Sequence, residues 1–214
     1  MVSSSIAVRE LPLFPLPEVV LFPNRPLPLH IFEFRYRIMM NTILEYADRR
    51  FGVLMIDSAQ GKIAKVGCCA EIVHYQRFPD DRMKMLTVGQ QRFRVLEYVR
   101  EKPYLVGLVE WIEERPPNQD LKPMGVKVEK LLRDVVHLSA KLTDQKIELP
   151  EDLPELPREL SYWIGSNLYG APLEQQALLE MDDTADRLLR EEKILSVTRN
   201  NLAARTALKD ALKN

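Results

Sequence analysis

Cysteine is nearly missing from this chain: there are two, Cys68 and Cys69, side by side. Adjacent residues of a strand point to opposite faces, and the pair offers no CxxC spacing for a redox or zinc site. No disulfide framework is possible, which fits a reducing compartment. Two small buried thiols are expected. Histidine is equally sparse. His30, His74 and His137 show no HExxH or paired spacing, so no metal site is expected. No apolar run approaches the ~18–20 residues that span a bilayer. The opening MVSSSIAVRELPLF lacks a basic stretch followed by a long apolar core, so no secretory leader is expected. These features predict a cytoplasmic protein with no membrane partner. Neither sign of charge is in excess: 30 basic against 31 acidic residues leave −1, giving no global field to attract DNA. The phosphate-cradling pattern Gly-x4-Gly-Lys-Ser/Thr is absent. The one Gly-Lys pair, Gly61-Lys62, is followed by Ile63 and has no glycine five positions earlier. No GxSxG elbow occurs. Two carboxylate pairs, Asp80-Asp81 and Asp182-Asp183, read as a turn and a helix cap. No cofactor and no catalytic residue is therefore expected.

What is present is an ordinary globular composition, 46% hydrophobic and 29% charged, on a chain long enough for one large domain or two small ones. Pattern divides it in two. Strand-like runs occupy 10–14, 27–32, 51–57, 65–77, 82–88, 91–99 and 104–113, with turn chemistry at Pro79-Asp80-Asp81 and a second turn expected at Gly89-Gln90. In 91–99, Phe93, Val95 and Val99 fall on one face, and Arg92, Arg94, Leu96 and Tyr98 on the other. One helix interrupts them from Arg35 to Arg49, with Ile38, Met39, Ile43, Tyr46 and Ala47 on one face. Arg115-Pro116-Pro117-Asn118-Gln119-Asp120 is a linker. Helices follow at 124–145, from Pro157 to about Gly170, from Pro172, and from Asp183 to Leu212. Met181, Leu188, Leu195 and Leu202 recur every seven residues, but Glu191 and Thr198 between them are polar, which favours a bundle helix over an intermolecular coil. The reading is α+β: a barrel-like half of six to seven strands plus one helix (1–117), then an α-helical bundle (118–214).

Proline, scarce in most strands, is dense in one stretch. Pro12, Pro15, Pro17, Pro23, Pro26 and Pro28 fall within 17 residues and alternate with apolar side chains, not with Ser and Gly as in a disordered linker. Proline in strand-like sequence is confined to edges, bends and strand starts. The stretch predicts an edge strand, a bent crossing segment and a second strand feeding the helix. Three ordered blocks, Leu11–Leu16, Val20–Pro23 and Pro28–Arg37 (LPLFPL, VLFP and PLHIFE-x-RYR), with downstream steps at Gly52, Gly67 and Gly89, resemble the Lon protease N-terminal (substrate-binding) domain family. The resemblance spans nearly the whole chain and implies a PUA-like β-barrel followed by a helical bundle, in a free-standing form without the ATPase and protease modules. One departure stands out: many relatives carry proline after the glutamate, where this chain has Phe34.

The resemblance implies a non-catalytic binding protein that recognises unfolded or damaged polypeptides, an adaptor in protein quality control, with a protease or chaperone as further partner. Exposed apolar surface at the strand-to-helix corner is what such binding needs, and Phe32, Glu33, Phe34 and Arg35 are the candidate polypeptide-binding residues. An unfolded segment could also add to an open barrel edge. Two alternatives remain. One is an RNA-binding module using Arg92, Arg94 and Arg100 with Phe93 and Tyr98; the other is a small-molecule-binding domain.

Overall fold

The computed structural model describes residues 8–46 and 48–213; Ala47, expected on the apolar face of the first helix, lies outside the described residues. Among the described residues, seven strands and five helices run in the order β1 (Val8–Pro17), β2 (Pro26–Ile31), α1 (Phe34–Leu44), β3 (Arg50–Asp57), β4 (Lys62–Ile63), β5 (Val66–Arg77), β6 (Met83–Arg100), β7 (Val106–Trp111), α2 (Lys122–Thr143), α3 (Pro157–Ser166), α4 (Pro172–Glu180) and α5 (Thr184–Lys213). Among the described residues no helix is long and apolar enough to cross a membrane.

The chain forms two compact units. The first comprises 8–113 and 165–182, and the second 114–164 and 183–213. The sheet half thus ends close to the expected linker, but the segment carrying α4 groups with the sheet, not with the bundle. Gln176 donates to the Val66 carbonyl at 3.0 Å, and Arg92 donates to the carbonyls of Leu179 (2.7 Å) and Met181.

In the first unit the sheet closes on itself in the order β1-β7-β6-β5-β3-β1. β1 makes the closure by serving two partners in turn. Its residues 8–12 pair antiparallel with β7, and 13–17 pair parallel with β3. The long β6 also serves two partners on one side: β2 along its first third and β7 along its last part. β4 adds a short antiparallel rung to β3. Two cores fill this unit. One gathers Phe14, Ile31, Tyr36, Met39, Met40, Ile43 and Phe51 beneath α1. The other gathers Leu11, Leu13, Leu54, Phe93 and Val109. The thiols of Cys68 and Cys69 are buried in these cores, and burial pushes Cys69 up to about 12 and Cys68 well above its ordinary value.

Three local expectations are corrected. Gly89-Gln90 is no turn, because β6 runs straight through it. Gly89 is required by close packing: a Cβ there would lie 2.0 Å from the Phe22 carbonyl oxygen. Helix α1 stops at Leu44, short of the expected Arg49, and Arg50 opens β3, where it pairs with Glu71 at 2.8 Å. Val99 leaves the buried face of β6 because register shifts follow Val95 and Tyr98.

The second unit packs α2 against α5, with Val128, Leu131, Leu132, Leu160, Ile164, Leu188 and Leu195 in its core. Asp183 caps α5, its carboxylate accepting the Ala185 N–H at 2.8 Å. A polar chain is buried inside. Arg187, fully enclosed, donates to the Ser161 hydroxyl (2.7 Å) and to Glu114 (2.6 Å), and lies 4.3 Å from the Tyr162 ring centre. Thr184 and Tyr162 also donate to Glu114, both at 2.6 Å. Burial pushes the Glu114 carboxyl up, but Arg187 and these hydrogen bonds outweigh it and hold it below its ordinary value. Glu191 sits between Leu188 and Leu195 on the apolar face of α5. Its Oε1 accepts from Ser161 at 2.8 Å, and its Oε2 has no partner. Burial pushes it up to about 8 against the opposing pull of Ser161 and Arg187.

Candidate functional site

The prolines of the first two strands create the most distinctive surface of the sheet unit. β7 lies beside residues 8–12 of β1 and then ends. Below it β2 takes the place next to β6, yet among the described residues no ladder joins β2 to residues 13–17 of β1. An open seam remains between these two strand edges. It holds a groove of about 550 Å³, walled by Pro15, Leu16 and Pro17 on one side and Pro28, Leu29 and His30 on the other. Phe14, Ile31 and Tyr36 line it as well, and Ile56 and Ile63 contribute from β3 and β4. The Phe14 and Tyr36 rings meet edge to face at 4.3 Å, which fixes the buried end of the groove. Burial raises the Tyr36 phenol above its ordinary value, with Arg35 pulling it down and Glu33 pushing it up.

Three of the four candidate residues lie on this groove: Phe32, Glu33 and Arg35. Phe32 is 60% exposed, its ring 5.9 Å from that of His30, which also contacts Phe78 at 6.5 Å. Glu33 precedes α1 without capping it through its side chain. It pairs instead with Arg35 at 2.9 Å, an exposed ion pair that adds little stability. Phe34, 70% exposed, is the first residue of α1 and stands outside the groove lining, with the Arg37 guanidinium 5.5 Å from its ring centre. Two large aromatic rings therefore face solvent at one corner, beside an apolar cleft. The proline and isoleucine walls were not among the candidates. The sequence signal for them was the alternation of proline itself.

Of the five residues of the RNA reading, Arg92 and Phe93 are buried, whereas Arg94, Tyr98 and Arg100 are exposed on β6. Arg92 is buried on backbone carbonyls. Phe93 is buried against Trp111. Arg94 pairs with Glu110 at 3.3 Å, and Arg100 lies over Tyr104. Among the described residues no group of three or more His, Cys, Asp or Glu side chains is placed to hold a metal ion.

A family model described as the ATP-dependent protease La (LON) substrate-binding domain matches residues 10–197. Among curated proteins, Lon protease 2 of Myxococcus xanthus is 28% identical over 95% of the chain, and the Lon protease of Dictyoglomus thermophilum is 28% identical over 83%. The chain spans about a quarter of the length of these relatives (25% and 23%). Among solved structures, a Lon N-terminal domain protein from Xanthomonas campestris superposes with a TM-score of 0.64 at 26% identity, covering 88% of this chain and 98% of that one. The N-terminal domain of a Mycobacterium avium complex Lon protease shares the fold at a TM-score of 0.62 and 14% identity, covering 90% and 98%. With the match covering most of its residues and the fold agreeing, the chain belongs to the LON substrate-binding domain family.

Proposed function

We propose that this chain binds exposed apolar segments of unfolded or damaged polypeptides at the seam groove and its aromatic corner, and carries out no bond-breaking of its own. Family membership supports a role in substrate recognition. The observation that carries the site is the pairing of an apolar cleft with two solvent-facing phenylalanines, Phe32 and Phe34. A stable scaffold seldom leaves such rings in water without use. Each aromatic ring buries on the order of 150–250 Å² when covered. The chain then acts as a cytoplasmic recruiting or adaptor module in protein quality control, handing captured clients to a protease, since the relatives it matches are Lon proteases. The two cysteines are buried with their thiols held protonated, which supports the non-catalytic reading.

Fluorescence anisotropy with a labelled, permanently unfolded model protein and its native form tests this. Preference for the unfolded form is expected, weakened at least about tenfold in a Phe32→Ala/Phe34→Ala double variant, as expected when two anchoring aromatics are truncated. Equal affinity for native and unfolded protein overturns the reading.

A further inference from the structure

The backbone on both sides of the seam has an unusual composition. On β1, Leu13 donates its N–H to Leu105 at 2.8 Å, away from β3, whereas Glu18 donates to Ile56 of β3 at 3.0 Å. Strand backbone alternates, so even-numbered residues face β3 and Pro15 and Pro17 face the seam. On β2, the Leu27 carbonyl accepts from the Thr87 hydroxyl of β6 at 2.9 Å, and the preceding Arg25 carbonyl accepts from Gly89 at 2.9 Å. Odd-numbered residues therefore face β6, and Pro26, Pro28 and His30 face the seam. Four of these five positions are prolines, with no N–H to give, and His30 near the end of β2 brings the one donor among them. Both edges turn carbonyl oxygens outward at these sites.

An added strand needs donors and acceptors in alternation, and that alternation sets its direction and register. Edges offering acceptors throughout and a single donor, at His30, cannot sustain that alternation and supply neither. We infer, resting on the function proposed above, that the seam captures an extended client through its apolar side chains without a strand ladder, taking either chain direction. The electronegative rim further selects apolar segments flanked by lysine or arginine over those flanked by aspartate or glutamate. The formal charges of Glu33 and Arg35 at the groove cancel in their ion pair, which leaves the carbonyls to set the sign. Where the client withdraws a backbone donor at this open rim, water replaces it.

The experiment compares four labelled peptides on the intact chain: an apolar, aromatic-containing decamer flanked by lysines, its reversed sequence, a version N-methylated at alternate residues, and one flanked by glutamates. The first three are expected to bind within about fivefold of one another, the worth of one net hydrogen bond. The glutamate version is expected to bind more than about fivefold weaker at low salt, on the same scale. Loss of more than fivefold on reversal or N-methylation overturns the ladder-free mode. Equal binding of the lysine and glutamate peptides overturns the charge selection. Failure of all four to bind, with the unfolded protein also unbound, overturns the proposed function instead.

Discussion

Replacing Glu191 with glutamine should make the helical unit more stable at neutral pH and remove most of its pH dependence between 5 and 8. The carboxyl sits among Leu188, Leu195 and their neighbours with one hydrogen bond, from Ser161, and one oxygen unpartnered. Its folded value of about 8 lies above the ordinary 4.5. Below 4.5 both folded and unfolded chains hold the proton and the group is neutral in its effect. As pH rises from there to 8, the unfolded chain releases the proton while the folded chain keeps it, and stability falls throughout that window. At about 1.36 kcal/mol per pH unit, the full loss is roughly 5 kcal/mol by pH 8 and roughly 3 kcal/mol by pH 7. Glutamine mimics the protonated acid and does not titrate. Glu114 acts in the opposite sense: with its folded value depressed, its contribution is present above its unfolded value and is lost as pH falls through the folded one, so work above pH 5 isolates Glu191. Urea unfolding followed by Trp163 fluorescence in a Trp111→Phe background reads the helical unit. The variant should match the parent near pH 5 and exceed it by about 3 kcal/mol at pH 7. Parallel stability curves from pH 5 to 8, or a less stable variant at pH 7, would refute the reasoning.

Arg187→Ala should cost about 3–5 kcal/mol in the same urea assay, since it leaves the part-buried Glu114 carboxylate without its cation and Ser161 without a donor. Gly89→Ala should cost at least about 3 kcal/mol, measured by thermal unfolding, because the new methyl meets backbone, not a movable side chain. Phe34→Pro should raise the sheet unit's stability by about 0.4–1 kcal/mol in calorimetry: the position is the first of α1, where no intrahelical bond needs its N–H.

The proline-rich stretch was legible because proline's missing N–H is a local fact with a local consequence, an edge. That two such edges confront one another across a groove was not legible, since it depends on where β7 stops and β2 begins beside β6. The aromatic corner at Phe32 and Phe34 was read from the strand-to-helix junction, and three of its four residues line the groove. Gly89 misled because close backbone approach and a turn both ask for glycine, and the string of residues around it does not say which. Alternation sets Arg92 on the face opposite Phe93 and says nothing of its burial. Its real partners, the carbonyls of Leu179 and Met181, lie nearly 90 residues onward, and nothing near Arg92 announces them. Glu191 was read as a polar interruption of an apolar seam, which it is, while its buried partner Ser161 belongs to another helix.

The sheet unit is discontinuous in sequence, and this has a bearing on how the protein is made. Its last contributions, the carbonyls that hold Arg92 and the amide of Gln176 on Val66, come from 165–182. A nascent chain stopped after the linker at 117 has every strand but leaves those groups unmatched. The ribosome must therefore deliver residue 182 before the sheet unit is finished, and by then all of α2 and α3 has been made. Maturation of the two units is interleaved in time, and excising the strands alone should yield a fragment that aggregates.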